Sequence, residues 1–131
     1  MTDLADLSPK AAAAAWRPPS ELEVERDLSA FAALVRERFG AHVEGLYLFG
    51  SRARGDNRPE SDADVAVVID DAAARQDGLE TELVELAFEV LLSGKTVIEP
   101  FLIPSSGWSD PDLLHNRSLG RAMKRDGRRV L

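Results

Sequence analysis

The stretch Phe49–Asp70, FGSRARGDNRPESDADVAVVID, joins a polar loop to the start of an apolar strand. It places Gly50-Ser51 directly after the apolar run LYLF, and it places Asp62 and Asp64 directly before a run of Val and Ile. Residues two apart in a strand point to the same side, so the two acids are predicted to project together. Neighbouring carboxylates resist joint ionisation unless a cation compensates them. The pair therefore predicts a site for a hard divalent cation such as Mg²⁺.

Each half of this stretch, taken alone, also has a plain structural interpretation. An isolated Asp-x-Asp is common, and Asp62 could cap a turn; an isolated Gly-Ser could be an ordinary turn. Their combination favours a site, because glycine lets a phosphate approach the backbone and a following helical turn directs N–H groups at an anion. Ten residues, Arg52 to Ser61, separate the two halves. This arrangement is typical of phosphoryl or nucleotidyl transfer, with Gly50-Ser51 on the triphosphate and the acids on metal ions.

The apolar pattern around this stretch predicts an α/β (α+β) fold, a small mixed β-sheet flanked by helices. Residues 1–19 are interpreted as an N-terminal arm, with a short helix in KAAAAAW, and residues 20–131 as a single domain. A Ser20/Glu23 capping box predicts the start of the first helix. The predicted elements after that start are strands at 43–50 and 62–69, a helix at 79–92, a strand at 95–103 with Pro100 at an edge or bulge, a loop at 104–111, and a closing helix with Ser118 as cap and Gly127 as stop.

Composition narrows the function classes. The 131 residues include no cysteine and only two histidines, which excludes disulfides and argues against a zinc enzyme. The net charge is −7; residues 110–131 hold six bases and three acids (+3), so residues 1–109 carry −10. An acidic body argues against stable duplex DNA binding, whereas the basic tail could touch a nucleotide, RNA or an acidic partner, or form a solvated helix face. Without an apolar span or a signal-peptide pattern, we expect a cytoplasmic protein.

The compound motif, Gly-Ser, ten residues, then Asp-x-Asp, with Ala-Arg-Gly inside the gap, resembles the signature of the DNA polymerase beta-like nucleotidyltransferase superfamily. The chain's small size resembles its minimal nucleotidyltransferase (MNT) domains, many of which are antitoxins in HEPN/MNT toxin–antitoxin modules. The resemblance runs from about Ser20 to Ile103, and the closing LGRAMKRDGRRVL resembles the family's basic final helix. It implies the polymerase beta-like nucleotidyltransferase fold.

The resemblance also implies a role for each matched residue. Gly50 and Ser51 would bind the nucleotide phosphates, with Arg52 and Arg54 beside them; Arg54 could instead pair with Asp56. The metal ligands of a two-metal Mg²⁺ site, with ATP as nucleotide substrate, would include Asp62 and Asp64.

A third carboxylate is expected on the next core strand, where Glu99 in TVIEPFLI is the candidate catalytic residue and metal ligand. In the family it helps to activate the attacking hydroxyl. The family usually has Asp there, and Glu reaches one methylene further. The alternative is an acid at the strand edge that faces water.

The implied function is Mg²⁺-dependent transfer of NMP, AMP from ATP, to a hydroxyl. A short chain leaves little room for a small-molecule acceptor domain, so the expected acceptor is a tyrosine on a HEPN RNase toxin. One alternative is a non-catalytic antitoxin with a vestigial nucleotide site. Another is transfer to an antibiotic or other small molecule, with a partner chain or a dimer completing the pocket.

Of the remaining candidates, Trp108 could stack on a base or seal a loop, Lys124 and Arg125 could approach the triphosphate or be solvated, and His42 and His115 are interpreted as structural.

Overall fold

A computed structural model describes residues 17–131 of the chain. Two short 3-10 turns, Gly40–His42 and Pro111–Leu113, interrupt the regular elements. Those elements, in chain order, are α1 (Glu21–Phe39), β1 (Val43–Phe49), α2 (Ser51–Arg54), β2 (Ala63–Ile69), α3 (Asp71–Ala74), α4 (Leu79–Ser93), β3 (Ile98–Pro104), α5 (Ser105–Ser109), α6 (Arg117–Asp126) and β4 (Arg128–Arg129).

The four strands form one mixed sheet in the order β3-β2-β1-β4. β1 runs antiparallel to both β2 and β4, while β2 and β3 are parallel. The apolar run ADVAVVI explains why β2 is central, since every residue of β2 except Asp64 is buried. The predicted fold class, a small mixed sheet flanked by helices, is confirmed, and Pro100 does lie on an edge strand.

Alternation along the strands divides the core into two layers. Val65, Val67 and Ile69 of β2 belong to the layer that packs against α1 and α4. Ala66 and Val68 point to the other face, where they pack with Met123 of α6. Asp64 has the same parity as Ala66 and Val68, so its side chain lies on the α6 face of the sheet, at the start of β2.

Several predicted boundaries agree with the structure, and others are wrong. The predicted Ser20/Glu23 capping box is present at the start of α1. The predicted loop at 104–111 instead contains α5, in which Gly107 is buried so closely against Leu114 that a Cβ would clash. The predicted cap Ser118 is also wrong, because the side chain of Asn116 accepts the Leu119 N–H at 3.0 Å.

Sequence patterns also missed α3 and β4, which have only four and two residues. Of the predicted arm, only residues 17–19 lie within the described part of the chain. The predicted KAAAAAW helix lies outside the described residues, and the arm and single-domain division stay predictions.

A buried carboxylate on α1 fixes the turn that leads into β3. Asp27 is 3% exposed, and its Oδ2 accepts the N–H of Lys95 at 3.0 Å, the N–H of Thr96 at 3.0 Å and the Thr96 hydroxyl at 2.6 Å. Three donors on one oxygen compensate the desolvation of the carboxylate. The contact ties α1 to the residues just before β3 and thereby sets where β3 begins.

Replacing this carboxylate is expected to cost stability. Asp27→Ala should lower the free energy of unfolding by about 3 kcal/mol, because it leaves two backbone N–H groups and a buried hydroxyl without their acceptor. Thr96→Val is the milder control and should cost about 1 kcal/mol, because it removes one of the three bonds. Urea denaturation followed by circular dichroism measures both. Equal stability of Asp27→Ala and the natural chain would show that the turn does not depend on this carboxylate.

Candidate active site

The predicted site residues come together at one end of the sheet, where β1 ends and β2 and β3 begin. In the strand register Asp64 lies opposite Phe49 of β1 on one side and opposite Glu99 of β3 on the other. Gly50 follows Phe49 directly. Residues from three separate strands therefore meet around the Asp64 carboxyl.

The carboxylates of this site oppose one another's ionisation. Burial raises the pKa of Asp64 most, and the charge and side-chain contact of Glu99 and the charge of Asp62 raise it further, to about 6. Asp62, just before β2, raises this pKa through its charge alone, whereas Glu99, which is paired with Asp64 in the strand register, raises it through both its charge and a side-chain hydrogen bond. Glu99 is exposed, as the strand-edge alternative expects, yet it also touches Asp64, as a third carboxylate would. The site concentrates negative charge that a cation would relieve.

The backbone of the Gly-Ser turn lies directly against this carboxylate. Gly50 has φ +75°, a conformation that favours glycine, and its carbonyl accepts the Arg54 N–H at 3.1 Å to start α2. A Cβ on Gly50 would lie 2.6 Å from Oδ2 of Asp64, which is closer than van der Waals contact allows. Ser51, half-buried, is the first residue of α2. The turn predicted to hold phosphates is thus adjacent to the acid predicted to hold a metal.

The two predicted arginines have partners within the chain. Arg52 donates from Nε to the Ser61 carbonyl at 2.9 Å and from Nη2 to the Pro59 carbonyl at 3.0 Å, which closes the loop between α2 and β2. The Arg52 guanidinium thereby stabilises the loop, and its predicted contact with phosphate stays a prediction.

Arg54 links the same loop to α6. Its guanidinium lies 3.2 Å from Asp56, the alternative partner that the sequence suggested, and 3.4 Å from Asp126 at the end of α6. Asp56 contributes most to raising the pKa of Arg54. The positive charge of Arg54 also opposes the rise in the pKa of Asp64, so this arginine lies near the carboxylates. The Arg54–Asp126 pair was missed from the sequence, because nothing in the motif indicates which residue of α6 approaches the loop.

The donor set at this site fits Mg²⁺, although it does not amount to a complete metal cage. Among residues 17–131, no group of three or more His, Asp or Glu side chains is arranged closely enough to hold an ion. Mg²⁺ is bound in nucleotide sites by one or two carboxylates, with water and phosphate oxygens filling the other positions. Asp64, with Glu99 in contact and Asp62 nearby, supplies that partial set of oxygen ligands.

The aromatic and histidine candidates lie outside this cluster of carboxylates. Trp108 stacks on Tyr47 with ring centroids 4.3 Å apart, and Lys124 lies 5.2 Å from the Trp108 ring. Trp108 therefore packs α5 against β1, which agrees with the sealing alternative. His42 lies 2.6 Å from the carboxylate of Asp70, after the far end of β2.

The sequence also singled out Arg125 and His115. Arg125 donates to the neighbouring Asp126. His115 lines a cleft of about 350 Å³ between α4, β3 and α6, which the sequence did not predict. The only sequence signal for this cleft is the apolar spacing of Leu119 and Met123 on α6.

Comparison with known sequences decides the family. The model of the nucleotidyltransferase domain family matches residues 28–104, more than half of the chain, and the matched segment contains every predicted site residue from Gly50 to Glu99. The chain belongs to the nucleotidyltransferase domain family. The predicted family and enzyme class of this nucleotidyltransferase are thereby confirmed. No curated protein sequence matches it significantly.

A solved structure shows the same fold at low sequence identity. A crystal structure described as a toxin–antitoxin with AMP-PNP is 16% identical, with a TM-score of 0.54 over 79% of this chain and 72% of that chain. A candidate nucleotidyltransferase from Sulfolobus solfataricus is 18% identical, with a TM-score of 0.45 over 86% of this chain and 87% of that chain. The first likeness shows that the nucleotidyltransferase shares its fold with a nucleotide-bound structure. Within residues 17–131, no helix is long and apolar enough to cross a membrane.

Proposed function

We propose that this nucleotidyltransferase transfers AMP from ATP, with Mg²⁺, to a hydroxyl on a protein acceptor. The observation that carries the proposal is the position of Asp64, which contacts Glu99 on one side and is packed against Gly50 on the other. A nucleotide bound with its phosphates along the Gly50 turn would place those phosphates next to the carboxylates.

Each residue of the site has a distinct task in this reaction. Gly50 and Ser51 would hold the phosphates through the backbone and the hydroxyl at the start of α2. Asp62 and Asp64 would hold Mg²⁺, which when bound supplies positive charge that stabilises the phosphate oxygens. Glu99 would accept the proton of the attacking hydroxyl.

The reaction needs no reactant besides ATP and the acceptor hydroxyl. The acceptor oxygen forms a bond to the α-phosphorus, and the bond from that phosphorus to the oxygen bridging the α- and β-phosphates breaks. The proton of the hydroxyl passes to Glu99, and pyrophosphate leaves with the bridging oxygen. The geometry that the residues must supply is alignment of the acceptor opposite the leaving group.

We further propose that the acceptor is a tyrosine of a HEPN-domain RNase toxin, that its modification silences the toxin, and that both proteins act in the cytoplasm. Two observations support a protein acceptor. The fold is shared with a structure described as a toxin–antitoxin with AMP-PNP. In addition, Glu99 is exposed on the edge strand β3, so a large acceptor could reach it. In this proposal residues 20–131 form the catalytic domain, preceded by an arm of residues 1–19.

The direct test is label transfer to the partner. The nucleotidyltransferase, the product of the adjacent gene as the proposed HEPN partner, and Mg²⁺ are incubated with ATP labelled at the α-phosphate, and the partner is examined for label. Label on a tyrosine is expected from α-labelled ATP and not from γ-labelled ATP, which distinguishes nucleotidyl from phosphoryl transfer. Absence of transfer, together with full neutralisation of the toxin by an Asp62→Asn/Asp64→Asn variant, would overturn the enzymatic proposal in favour of a binding antitoxin.

The role of Glu99 gives a separate prediction. Glu99→Gln should lower the rate of transfer by about 100-fold or more, because a proton acceptor is lost, while ATP still binds. The same substitution should lower the pKa of Asp64, since the Glu99 charge is one cause of its rise. Rapid-quench kinetics measures the first effect and carboxyl NMR the second. Glu44→Gln, an exposed glutamate on β1, is the matched control. Unchanged turnover in Glu99→Gln would show that Glu99 is not the third carboxylate.

A further inference from the structure

Helix α4 has a second apolar face that nothing in the described chain covers. Its core face holds Leu79, Leu83, Ala87 and Val90, which are buried. Val84, Phe88 and Leu92 follow at intervals of four residues on another side and are 56%, 57% and 71% exposed. Val97, just before β3, is 40% exposed and lies beside them. We call Val84, Phe88, Leu92 and Val97 the α4 stripe; an apolar patch of this kind marks a contact surface.

The α4 stripe continues into two depressions along the outer edge of β3. A shallow one of about 140 Å³ lies between Val84, Phe88 and Val97 and reaches Ile98 of β3. The cleft of about 350 Å³ begins on the other side of Val84 and extends to α6. Because Val84 lines both, the apolar surface is continuous. Glu99 lies on the same edge strand, between Ile98, which lines the shallow depression, and Pro100, which lines the cleft, and it is paired with Asp64 in the strand register.

The charged side chains of helix α4 are all acidic. Helix α4 carries Glu80, Glu82, Glu85 and Glu89 and no Lys or Arg. Among the ion pairs of residues 17–131, Glu82 alone of these four has a partner, Arg38 at 2.6 Å. An occupant with Lys or Arg beside an apolar ridge would therefore complement this surface. A second copy related by two-fold symmetry would instead place these glutamates against each other.

The edge strand itself disfavours pairing with an added strand. β3 has proline at positions 100 and 104, and proline has no N–H to donate to a neighbouring strand. Binding at this edge must then depend on side-chain packing, which is what the stripe and the two depressions offer.

We propose that the α4 stripe is the docking surface for the acceptor protein, which contributes an apolar ridge flanked by basic residues. This inference rests on the proposed function, since it assigns where the acceptor binds. Docking along α4 and β3 would hold the acceptor next to Glu99, so that its hydroxyl enters the site from the sheet edge.

The test uses two substitutions on the stripe and a matched control. Phe88→Glu/Leu92→Glu adds charge to exposed positions, so the protein should fold. Leu22→Glu, at a residue of α1 that is 81% exposed, is the control. Calorimetric titration with the HEPN protein should show binding weakened by about 30-fold or more in the double variant and unchanged in the control. Both should bind ATP with Mg²⁺ as the natural chain does. A charge reversal, Glu85→Lys/Glu89→Lys, should also weaken binding of the HEPN protein, unlike Glu37→Lys on α1.

The outcomes separate this inference from the proposed activity. Natural affinity and natural label transfer in Phe88→Glu/Leu92→Glu would overturn the docking surface and leave the activity standing. Binding of the HEPN protein without label transfer would overturn the activity alone. No binding by the natural chain would overturn the docking surface.

Two other results would name a different occupant. If the natural chain is a dimer that the double variant dissociates, with HEPN binding unaffected, the stripe belongs to a second copy. Equal losses of stability in the double variant and in a deletion of residues 1–16 would assign it to that segment. Each of these two results overturns the inference.

Discussion

Asp64→Asn is expected to reduce nucleotidyl transfer by about 1,000-fold or more and, at the same time, to stabilise the protein at neutral pH. The loss of activity follows from removing a charged ligand for Mg²⁺, whose stabilisation of the transition state amounts to several kcal/mol. An amide retains the shape of the carboxyl but not its charge. An effect of this size with a folded protein would identify the carboxylate as part of the chemistry.

The gain in stability follows from the raised pKa of Asp64. Its pKa is about 6 in the folded protein and 3.8 in its ordinary state, so folding opposes its ionisation. Stability attributable to this group is therefore greatest below pH 3.8 and decreases as the pH rises through about 6. Because the carboxyl is partly solvated, the cost at pH 7 is on the order of 1 kcal/mol rather than the full value of the shift. Asp64→Asn removes that cost.

Thermal unfolding at several pH values, without Mg²⁺, measures this effect. The variant should unfold at a higher temperature than the natural chain at pH 7, and the difference should vanish near pH 4. Asp112→Asn, at an acid outside the site, is the control and should not show the same dependence on pH. A variant that is inactive and also less stable at pH 7 would indicate that Asp64 serves the fold rather than the reaction.

Gly50→Ala is expected to reduce transfer by about 100-fold or more and to destabilise the chain. The new Cβ would lie 2.6 Å from Oδ2 of Asp64, so either the carboxylate or the Gly-Ser turn must move. A displacement of about 1 Å at a reacting centre is enough to cost that factor. The backbone adds strain of about 1–3 kcal/mol, since Gly50 has φ +75° and ψ −157°, a conformation found essentially only at glycine.

A second glycine separates strain from collision. Gly78, at the start of α4, has φ +87°, and a Cβ added there would have no atom within 4 Å. Gly78→Ala therefore adds backbone strain without a collision and away from the site carboxylates. It should lose about 1–2 kcal/mol of stability and keep its rate of transfer. Denaturation curves and single-turnover rates on both variants test this. Equal rates in Gly50→Ala and Gly78→Ala would mean that the contact of Gly50 with Asp64 has no bearing on the reaction.

The elements that could be predicted from the sequence are those whose pattern is local. The run ADVAVVI predicted a buried strand, because successive residues of a strand point to opposite faces of the sheet and both faces are apolar here. The Ser20/Glu23 capping box predicted where α1 begins. The Gly-Ser turn predicted the short helix α2. In each case the residues that decide the structure are neighbours in the chain.

What could not be predicted depends on contacts between distant residues. The pairing of Asp64 with Glu99 depends on the register of two parallel strands, which no local pattern reveals; only the family resemblance indicated Glu99. Helix α5 has poor intrinsic propensity in SSGWS, and packing of Gly107 against Leu114 accompanies it. Helix α4 is apolar on two sides, and its periodicity does not show which side is covered: Leu83 and Val90 are buried, whereas Phe88 and Leu92 are exposed.

The most direct test of the central claim, that the carboxylates beside the Gly50 turn hold a metal-bound nucleotide, is a crystal structure with Mn²⁺ and a non-hydrolysable ATP analogue, read by anomalous scattering. We expect an anomalous peak within coordination distance of the Asp62 and Asp64 carboxylates, with the triphosphate along Gly50 and Ser51. A nucleotide bound elsewhere, or bound at the turn with no metal on either aspartate, would contradict it.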